Sequence, residues 1–191
     1  AWWDWPELVT ARVEILPGDV SLPHLGLDEA AYSHLAGRIT HIIHTAADLR
    51  FDAPLDELRK TNVQGTANML ELAHLAQRDH GLERYAHVST AYVAGARRGV
   101  VPEADLTDAY GFTNGYEQSK YEAECLVQAA KNELPVSVFR PGMIVGASDT
   151  GEIRTFNTLY FPLRLFVTGK LPIIPVDPNL PLNIVPVDYV A

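Results

Sequence analysis

"RYAHVSTAYVAG", residues 84–95, decides how this chain folds. It is a short run of aromatic and β-branched residues that closes on Ser89-Thr90 and Gly95, and it reads as a strand. Outward toward the N-terminus comes a long helical pattern from Pro54 to about Asp79. There Leu55, Leu58, Met69, Leu70, Ala73 and Ala76 recur at steps of three and four. Pro54 suits its first turn and Gly81 ends it. "THIIHTAA" (40–47) is apolar and β-branched, a buried strand. "LDEAAYSHLAGRI" (27–39) has helical spacing and ends near Gly37, and "ARVEILPGDV" (11–20) reads as a strand over 12–16 closed by a Pro17-Gly18 turn.

Toward the C-terminus, a loop rich in Gly, Pro and Asp leads to a helix through "NGYEQSKYEAE" (114–124), which Pro135 ends. "VSVFRPGMIVG" (136–146) is the next strand. A Thr/Gly loop, an aromatic helix around 156–169, a Pro-rich segment and a short strand "NIVPV" (183–187) follow. Strands alternating with helices predict βαβ units and an α/β fold, a doubly wound parallel sheet. Such sheets place their chemistry at the carboxyl ends of strands. Asp19, Ala46-Ala47, Ser89-Thr90 and Arg140-Pro141-Gly142 all close a strand or follow one.

The 191 residues suit one domain of ordinary size, and 47% hydrophobic residues with 20% charged allow a packed core. A formal net charge of −9 argues against a nucleic-acid surface, which needs a basic stripe. One cysteine, Cys125, leaves no internal disulfide and suits a reducing compartment. No apolar run is long enough for a membrane span and no signal-peptide pattern opens the chain. "AWWDWPELVT" lacks an initiator methionine, and the far end stops inside an apolar run. Both ends therefore read as cut from a longer chain.

Tyr116 and Lys120 stand one helical turn apart and share a face. Free tyrosine has a pKa near 10, and a neighbouring ammonium eases its proton loss. Alone, such a pair is equally two ordinary surface neighbours; its place one loop after a strand ending in Ser89-Thr90 gives it weight. Adjacent strand residues point to opposite faces, so one of that hydroxyl pair faces a substrate. Other constellations fail. The seven histidines show no metal-ligand spacing, His41 and His44 face opposite ways on their strand, and no GxSxG elbow exists. No two of the 13 glycines are two residues apart, so GxGxxG is absent.

Taken together, "VEILPGDV", "HIIHTAADLRF", "TNVQGTANMLELA", "YAHVSTAYVAG", "YEQSK", "FRPGMIVGASDTGEI" and "LNIVPVDYV" resemble the extended short-chain dehydrogenase/reductase family. The nearest likeness is to its branch of fatty acyl-CoA reductases and thioester reductases. The resemblance implies one NAD(P)-binding Rossmann-type domain over 1–191, partial, with 147–191 beginning the substrate-binding part. The first βαβ unit with its glycine-rich loop is missing from the residues given, which leaves the strand at 12–16 without its neighbour. The resemblance also assigns roles. Tyr116 is the proton donor, Lys120 eases its proton loss and holds the nicotinamide ribose, Thr90 holds the substrate oxygen, and Asn62 organises a relay water. Asp19 and Val20 meet the adenine, Ala46 and Ala47 lie where the cofactor crosses, and Pro141, Gly142, Met143 and Ile144 line the nicotinamide.

The implied reaction is NADPH-dependent reduction of an acyl thioester to an aldehyde, and in some relatives on to an alcohol, in lipid metabolism. NADPH is expected over NADH. The expected partner is the acyl thioester of CoA or of an acyl carrier protein, and the expected location is cytoplasmic. Two alternatives stay open: a sugar-nucleotide epimerase or dehydratase on the same scaffold, and a non-catalytic NAD(P)-binding regulatory protein. "YFPLRLFV" (160–167) reads equally as an acyl-chain wall or as core.

Overall fold

The computed structural model describes residues 12–153, 159–173 and 182–191. It divides into two compact units, residues 1–139 and 140–191.

In the first unit, three parallel strands form a sheet in the order β1 (His41–His44), β2 (Arg84–Val88), β3 (Val136–Phe139). Each crossover is helical, as parallel neighbours require. Ile42 pairs with Tyr85 and Tyr85 with Val136; one step on, His44 pairs with His87 and His87 with Val138. These rows bury one face, with Tyr85 and His87 wholly covered. On the opposite face Ile43 is 74% exposed and Phe139 55%.

Helix α1 (Glu29–Ala36) starts at Asp28, whose carboxylate accepts from the amide of Ala31 at 2.8 Å. The long pattern after Pro54 resolves into three pieces. They are α2 (Leu55–Arg59), a π-helical turn (Lys60–Gln64) and α3 (Gly65–Asp79). The π turn carries Asn62 and marks where helix periodicity gives way to a side-chain demand. Gly81, at φ +90°, closes α3 by donating to Ala76 O at 3.1 Å, a conformation L side chains resist. Helix α4 (Gly115–Ala129) begins at Asn114, whose side chain accepts from Glu117 N at 2.9 Å. Glu117 reaches back to Thr113 N at 2.8 Å, so the first turn is pinned from both directions.

The core sits between the sheet's covered face and α1, α3 and α4. Tyr32, Ile42, Leu70, Leu72, Tyr85 and Val127 form its centre. Burying a leucine such as Leu72 stabilises by about 2 kcal/mol. Small residues Ala73, Ala76 and Ala123 let the helices close on the sheet.

The second unit holds β4 (Met143–Val145) paired in parallel with β5 (Ile184–Pro186), helix α5 (Tyr160–Val167) and a final turn α6 (Val187–Val190). Gly142 is required by close approach: a Cβ there would lie 2.5 Å from Asn183 O. The "GASDTGE" turn is tied down by Ser148, whose amide and hydroxyl both donate to the Asp188 carboxylate at 2.7 and 2.6 Å.

Two expected strands are corrected. Residues 13–19 carry no regular structure and Ile15 is 87% exposed. A strand persists only where a neighbour completes its backbone hydrogen bonds, and no described strand lies beside this run. The run 136–146 is not one strand but two, β3 and β4, in different sheets. It breaks at Arg140-Pro141-Gly142, where Pro141 has no amide to give a ladder. The aromatic helix spans Tyr160–Val167, and its expected first residues 156–158 lie outside the described residues, as does "AWWDWPELVT".

Candidate active site

Two successive residues at the carboxyl end of β2 each engage a side chain from α4. Val88 O accepts from Lys120 Nζ at 3.0 Å. Ser89 Oγ donates to Glu124 Oε2 at 2.6 Å. The Thr90 hydroxyl accepts from Tyr92 N at 3.2 Å, capping a short 3-10 turn over Ala91–Ala94, and it acts on the Tyr116 phenol by lowering its pKa. Tyr116, Lys120 and Glu124 lie four residues apart and so share one helix face. All three are buried, and Phe51 stands edge-on to the Tyr116 ring with centroids 5.1 Å apart.

The electrostatics follow from burial. It pushes the Tyr116 phenol above its ordinary value, while the Thr90 hydroxyl pulls it part of the way back and Tyr92 raises it. Burial brings Lys120 down to about 8, opposed by the Glu124 carboxylate. Behind the lysine sit His44 and His87, ring centroids 5.5 Å apart. Burial first, then the Lys120 charge, lowers His44 to about 4 and His87 to about 3, so both are neutral at pH 7. The Thr66 hydroxyl donates to Asn62 O at 2.7 Å, so His44 Nε2 is the donor to Thr66 at 3.2 Å. Neither ring nitrogen of His87 meets a partner among the described residues.

Asn62 is buried beside this face. Its Oδ1 accepts from Asp48 N at 2.7 Å, and its Nδ2 donates to Asp48 O at 3.0 Å and to Ser119 Oγ at 2.9 Å. Ser119 in turn donates to Tyr116 O at 2.9 Å. The amide thus ties the loop after β1 to the turn that carries Tyr116.

Asp19 lies exposed on a loop, its carboxylate accepting from Ser21 N and Oγ at 2.8 and 2.7 Å, which lowers its pKa. Val20 packs on Gly65, and Asn68 Nδ2 donates to Val20 O and Leu22 O, fixing this loop on α3. Ala46 and Ala47 are half-buried just past β1. The first unit thereby brings Thr90, Tyr116, Lys120 and Asn62 together. Pro141, Gly142, Met143 and Ile144 belong to the second unit, at the entry to β4.

Sequence reasoning passed over Ser119, Glu124, His44 and His87. For Glu124 the signal was available, since a carboxylate four residues past Lys120 on a face with Ala123 and Val127 has to be buried. His87 carried none beyond its alternation in β2. Cys125 is half-buried beside Tyr121, and burial raises its thiol. Among the described residues no group of three or more His, Cys, Asp and Glu could hold a metal, and no helix is long and apolar enough to cross a membrane.

A parallel α/β sheet with a Tyr-Lys pair and a threonine at a strand end defines the extended short-chain dehydrogenase/reductase class, in its thioester-reductase-like branch. Within it, the family described as Male sterility protein, an NAD-binding family, matches residues 2–191, and the chain belongs to that family. L-2-aminoadipate reductase large subunit of Candida glabrata is 34% identical over 98% of this chain, and isonitrile lipopeptide synthase of Streptomyces coeruleorubidus is 35% identical over 86%. The chain spans 14% and 11% of the lengths of these two relatives. Among solved structures, the terminal R domain from the myxalamid PKS-NRPS pathway aligns with TM-score 0.85 and 31% identity. The alignment covers 97% of this chain and 47% of that one. UDP-glucuronic acid 4-epimerase from Bacillus cereus, in complex with NAD, shares the scaffold at TM-score 0.52 and 26% identity over 66% of this chain.

The residues present fit a nicotinamide dinucleotide at its two ends. A phenol and an ammonium meet at one strand end, small alanines lie past the next strand, and an exposed carboxylate stands on a loop fixed to α3.

Proposed function

We propose that the chain is the catalytic region of an NADPH-dependent reductase that converts an acyl thioester to an aldehyde. The observation that carries this reading is the two-rung tie of β2 to α4, which holds a buried ammonium on Val88 O one helical turn from a buried phenol, with the buried Thr90 at the same strand end.

When bound, the cofactor supplies hydride to the thioester carbon. Thr90 Oγ1 and Tyr116 Oη donate hydrogen bonds to the carbonyl oxygen, where negative charge develops. Tyr116 passes its proton to that oxygen as the carbonyl becomes a hemithioacetal. Lys120, held on Val88 O, keeps positive charge near the phenol and lowers the cost of its losing the proton. Collapse of the hemithioacetal expels the thiolate, which takes up the proton released from the hydroxyl, and leaves the aldehyde. The balance is thioester, reduced cofactor and one proton giving aldehyde, thiol and oxidised cofactor. Asn62 acts as a positioning residue by fixing Ser119 and with it the first turn of α4. Asp19 and Val20 hold the adenine end, Ala46 and Ala47 leave room for the cofactor to cross, and Pro141, Gly142, Met143 and Ile144 line the nicotinamide. The substrate is carried on a carrier-protein thiol rather than on CoA, in line with the synthetase reductase domains it resembles.

The test uses the full-length protein with NADPH, and separately NADH, against acyl groups on CoA and on carrier protein. Thiol released in step with NADPH loss supports the reading, and the better carrier identifies itself by kcat/KM. Tight NADPH binding without thiol release from any thioester would sink it.

A further inference from the structure

Tyr116 meets an aromatic side chain that the proposed chemistry does not use. Phe51, on the loop between β1 and α2, stands edge-on to the Tyr116 ring, with centroids 5.1 Å apart and planes at 78°. Tyr116 is 7% exposed and Phe51 38%, so the phenylalanine stands on the side of the phenol that opens to solvent. Polar ties hold this loop independently of the ring. The Asn62 amide grips Asp48 N and O at 2.7 and 3.0 Å, and the Asp48 carboxylate accepts from Arg50 N and Nη2 at 3.1 and 2.7 Å. Arg50 Nη2 also reaches Glu57 Oε2 at 3.4 Å, on α2. Such a brace places residue 51 whatever its side chain, so little in the fold requires a ring there.

We propose that Phe51 is a specificity-determining residue for the thioester reduction: its solvent-side ring surface receives the acyl carbons next to the reacting carbonyl and selects an apolar chain. The role rests on the reductase reading above. A thioester whose carbonyl oxygen bonds the Tyr116 hydroxyl brings both substituents of that carbonyl beside the phenol, and the two ask different things of a wall. The thiol arm of CoA or of a carrier protein carries amides a few bonds from sulfur, which need hydrogen-bond partners when covered. An acyl chain is hydrocarbon beyond its carbonyl and gains by leaving water. Phe51 offers hydrocarbon surface and neither a donor nor an acceptor, so it fits the chain and not the arm.

The experiment compares full-length wild type, Phe51→Ala, Phe51→Leu and Phe51→Trp. Acetyl, butyryl and octanoyl thioesters on one carrier are reduced with NADPH, and kcat, KM, NADPH affinity and thermal unfolding are measured. Binding of the unreactive acetyl and octanoyl amides of the same arm to protein loaded with oxidised cofactor is measured beside them. Wild type is expected to favour octanoyl. Phe51→Ala is expected to raise KM for octanoyl about tenfold and for acetyl less than about twofold, with kcat and NADPH affinity little changed. Phe51→Leu, which keeps hydrocarbon at the position, is expected to recover most of the octanoyl KM. Phe51→Trp fills more of the same space and is expected to shift preference toward the shorter chains. A wild type without preference for octanoyl over acetyl overturns the proposal, as does an unmoved octanoyl KM in Phe51→Ala. An equal rise for both acyl groups also overturns it, because the ring then meets the arm, and so does a loss of NADPH affinity, because the ring then covers the cofactor. If Phe51→Ala does not fold, the length profile of Phe51→Trp decides, and an unchanged profile overturns the proposal. A wild type that binds NADPH yet reduces no thioester removes the reductase reading instead. The amides then decide the contact: a loss of affinity confined to the octanoyl amide upholds it, and equal affinities in wild type and variants overturn it.

Discussion

Glu122 and Glu124 stand two residues apart on α4 and live in different physics. Glu122 lies at the helix flank, its carboxylate gripped by Arg59 Nε and Nη2 at 2.7 and 2.6 Å while part of the pair stays in water. Glu124 is wholly enclosed and accepts from Ser89 Oγ at 2.6 Å. The first pair joins α2 to α4 and is screened by solvent; the second sits in the layer that also contains His44, His87, Ser89 and Ser119. The same side chain on one helix thus serves as a surface tie on one face and as a buried tie to the end of β2 on the other. Burial, not residue type, decides which.

The largest effect is expected on the enclosed face. Tyr116→Phe keeps the ring, its edge-on contact with Phe51 and the fold, and removes only the hydroxyl with its acidic proton. Turnover is expected to fall by roughly three orders of magnitude, within the span set by loss of a positioned acid. NADPH affinity should change little. Rate and cofactor binding measured on the full-length protein check this; near-wild-type turnover would break the assignment of Tyr116 and with it the contrast drawn between the two faces.

Acid stability is the next effect in size. His44 and His87 are held neutral, with values of about 4 and about 3 against an ordinary 6.5. The unfolded chain therefore binds more protons below that ordinary value. Their stabilisation is complete above about pH 6.5 and is lost as pH falls toward the folded values, at a few kcal/mol each by order of magnitude. His87→Leu should leave stability at pH 7 equal or higher, because two ring nitrogens without partners disappear from the core. It should also flatten the loss between pH 6.5 and 4. Denaturant unfolding at several pH values decides the point, and an acid slope identical to wild type would refute the claim that His87 is buried neutral.

This division was partly legible in the sequence. The apolar and β-branched runs located β1 and β2, the three-and-four spacing after Pro54 located α3, and the helical run from Asn114 located α4, because composition and spacing report burial. Tyr116 and Lys120 drew notice through their place one loop after a strand, and Thr90 through the family resemblance. The segment 12–16 was misread as a formed strand because propensity describes a residue and not its ladder partner. The π turn at Lys60–Gln64 was also hidden: its cause is Asn62 reaching Asp48 and Ser119, contacts 14 and 57 residues away. The Ser89–Glu124 bond has the same character, since a rung between strand and helix leaves no local pattern.

Asn62 offers a third test, smaller than the first two. Asn62→Leu fills much of the space but strands the Asp48 amide and carbonyl and the Ser119 hydroxyl. The expected loss is about 2 kcal/mol of stability, in the range for buried groups left unpaired. kcat should fall more than NADPH affinity, because Ser119 sets the turn that carries Tyr116. Unchanged kcat in a variant with the expected stability loss would confine Asn62 to the fold.

The smallest effect belongs to the outer face. Arg59→Ala removes the grip on Glu122 and the contact with Asp56 at 3.1 Å. Arg59 also holds the Glu122 carboxyl below its ordinary range, so the variant lets that pKa rise. Because the arginine side chain is 40% exposed, water replaces most of what is lost, and the expected destabilisation is the smallest of the set. The remaining effect should shrink further in high salt, whereas the loss on Glu124→Ala, at the enclosed carboxylate held by Ser89, should not, since enclosed groups are screened far less. Unfolding of both variants at low and high ionic strength therefore separates the faces directly. Equal salt sensitivity would mean that the two glutamates of α4 share one environment after all.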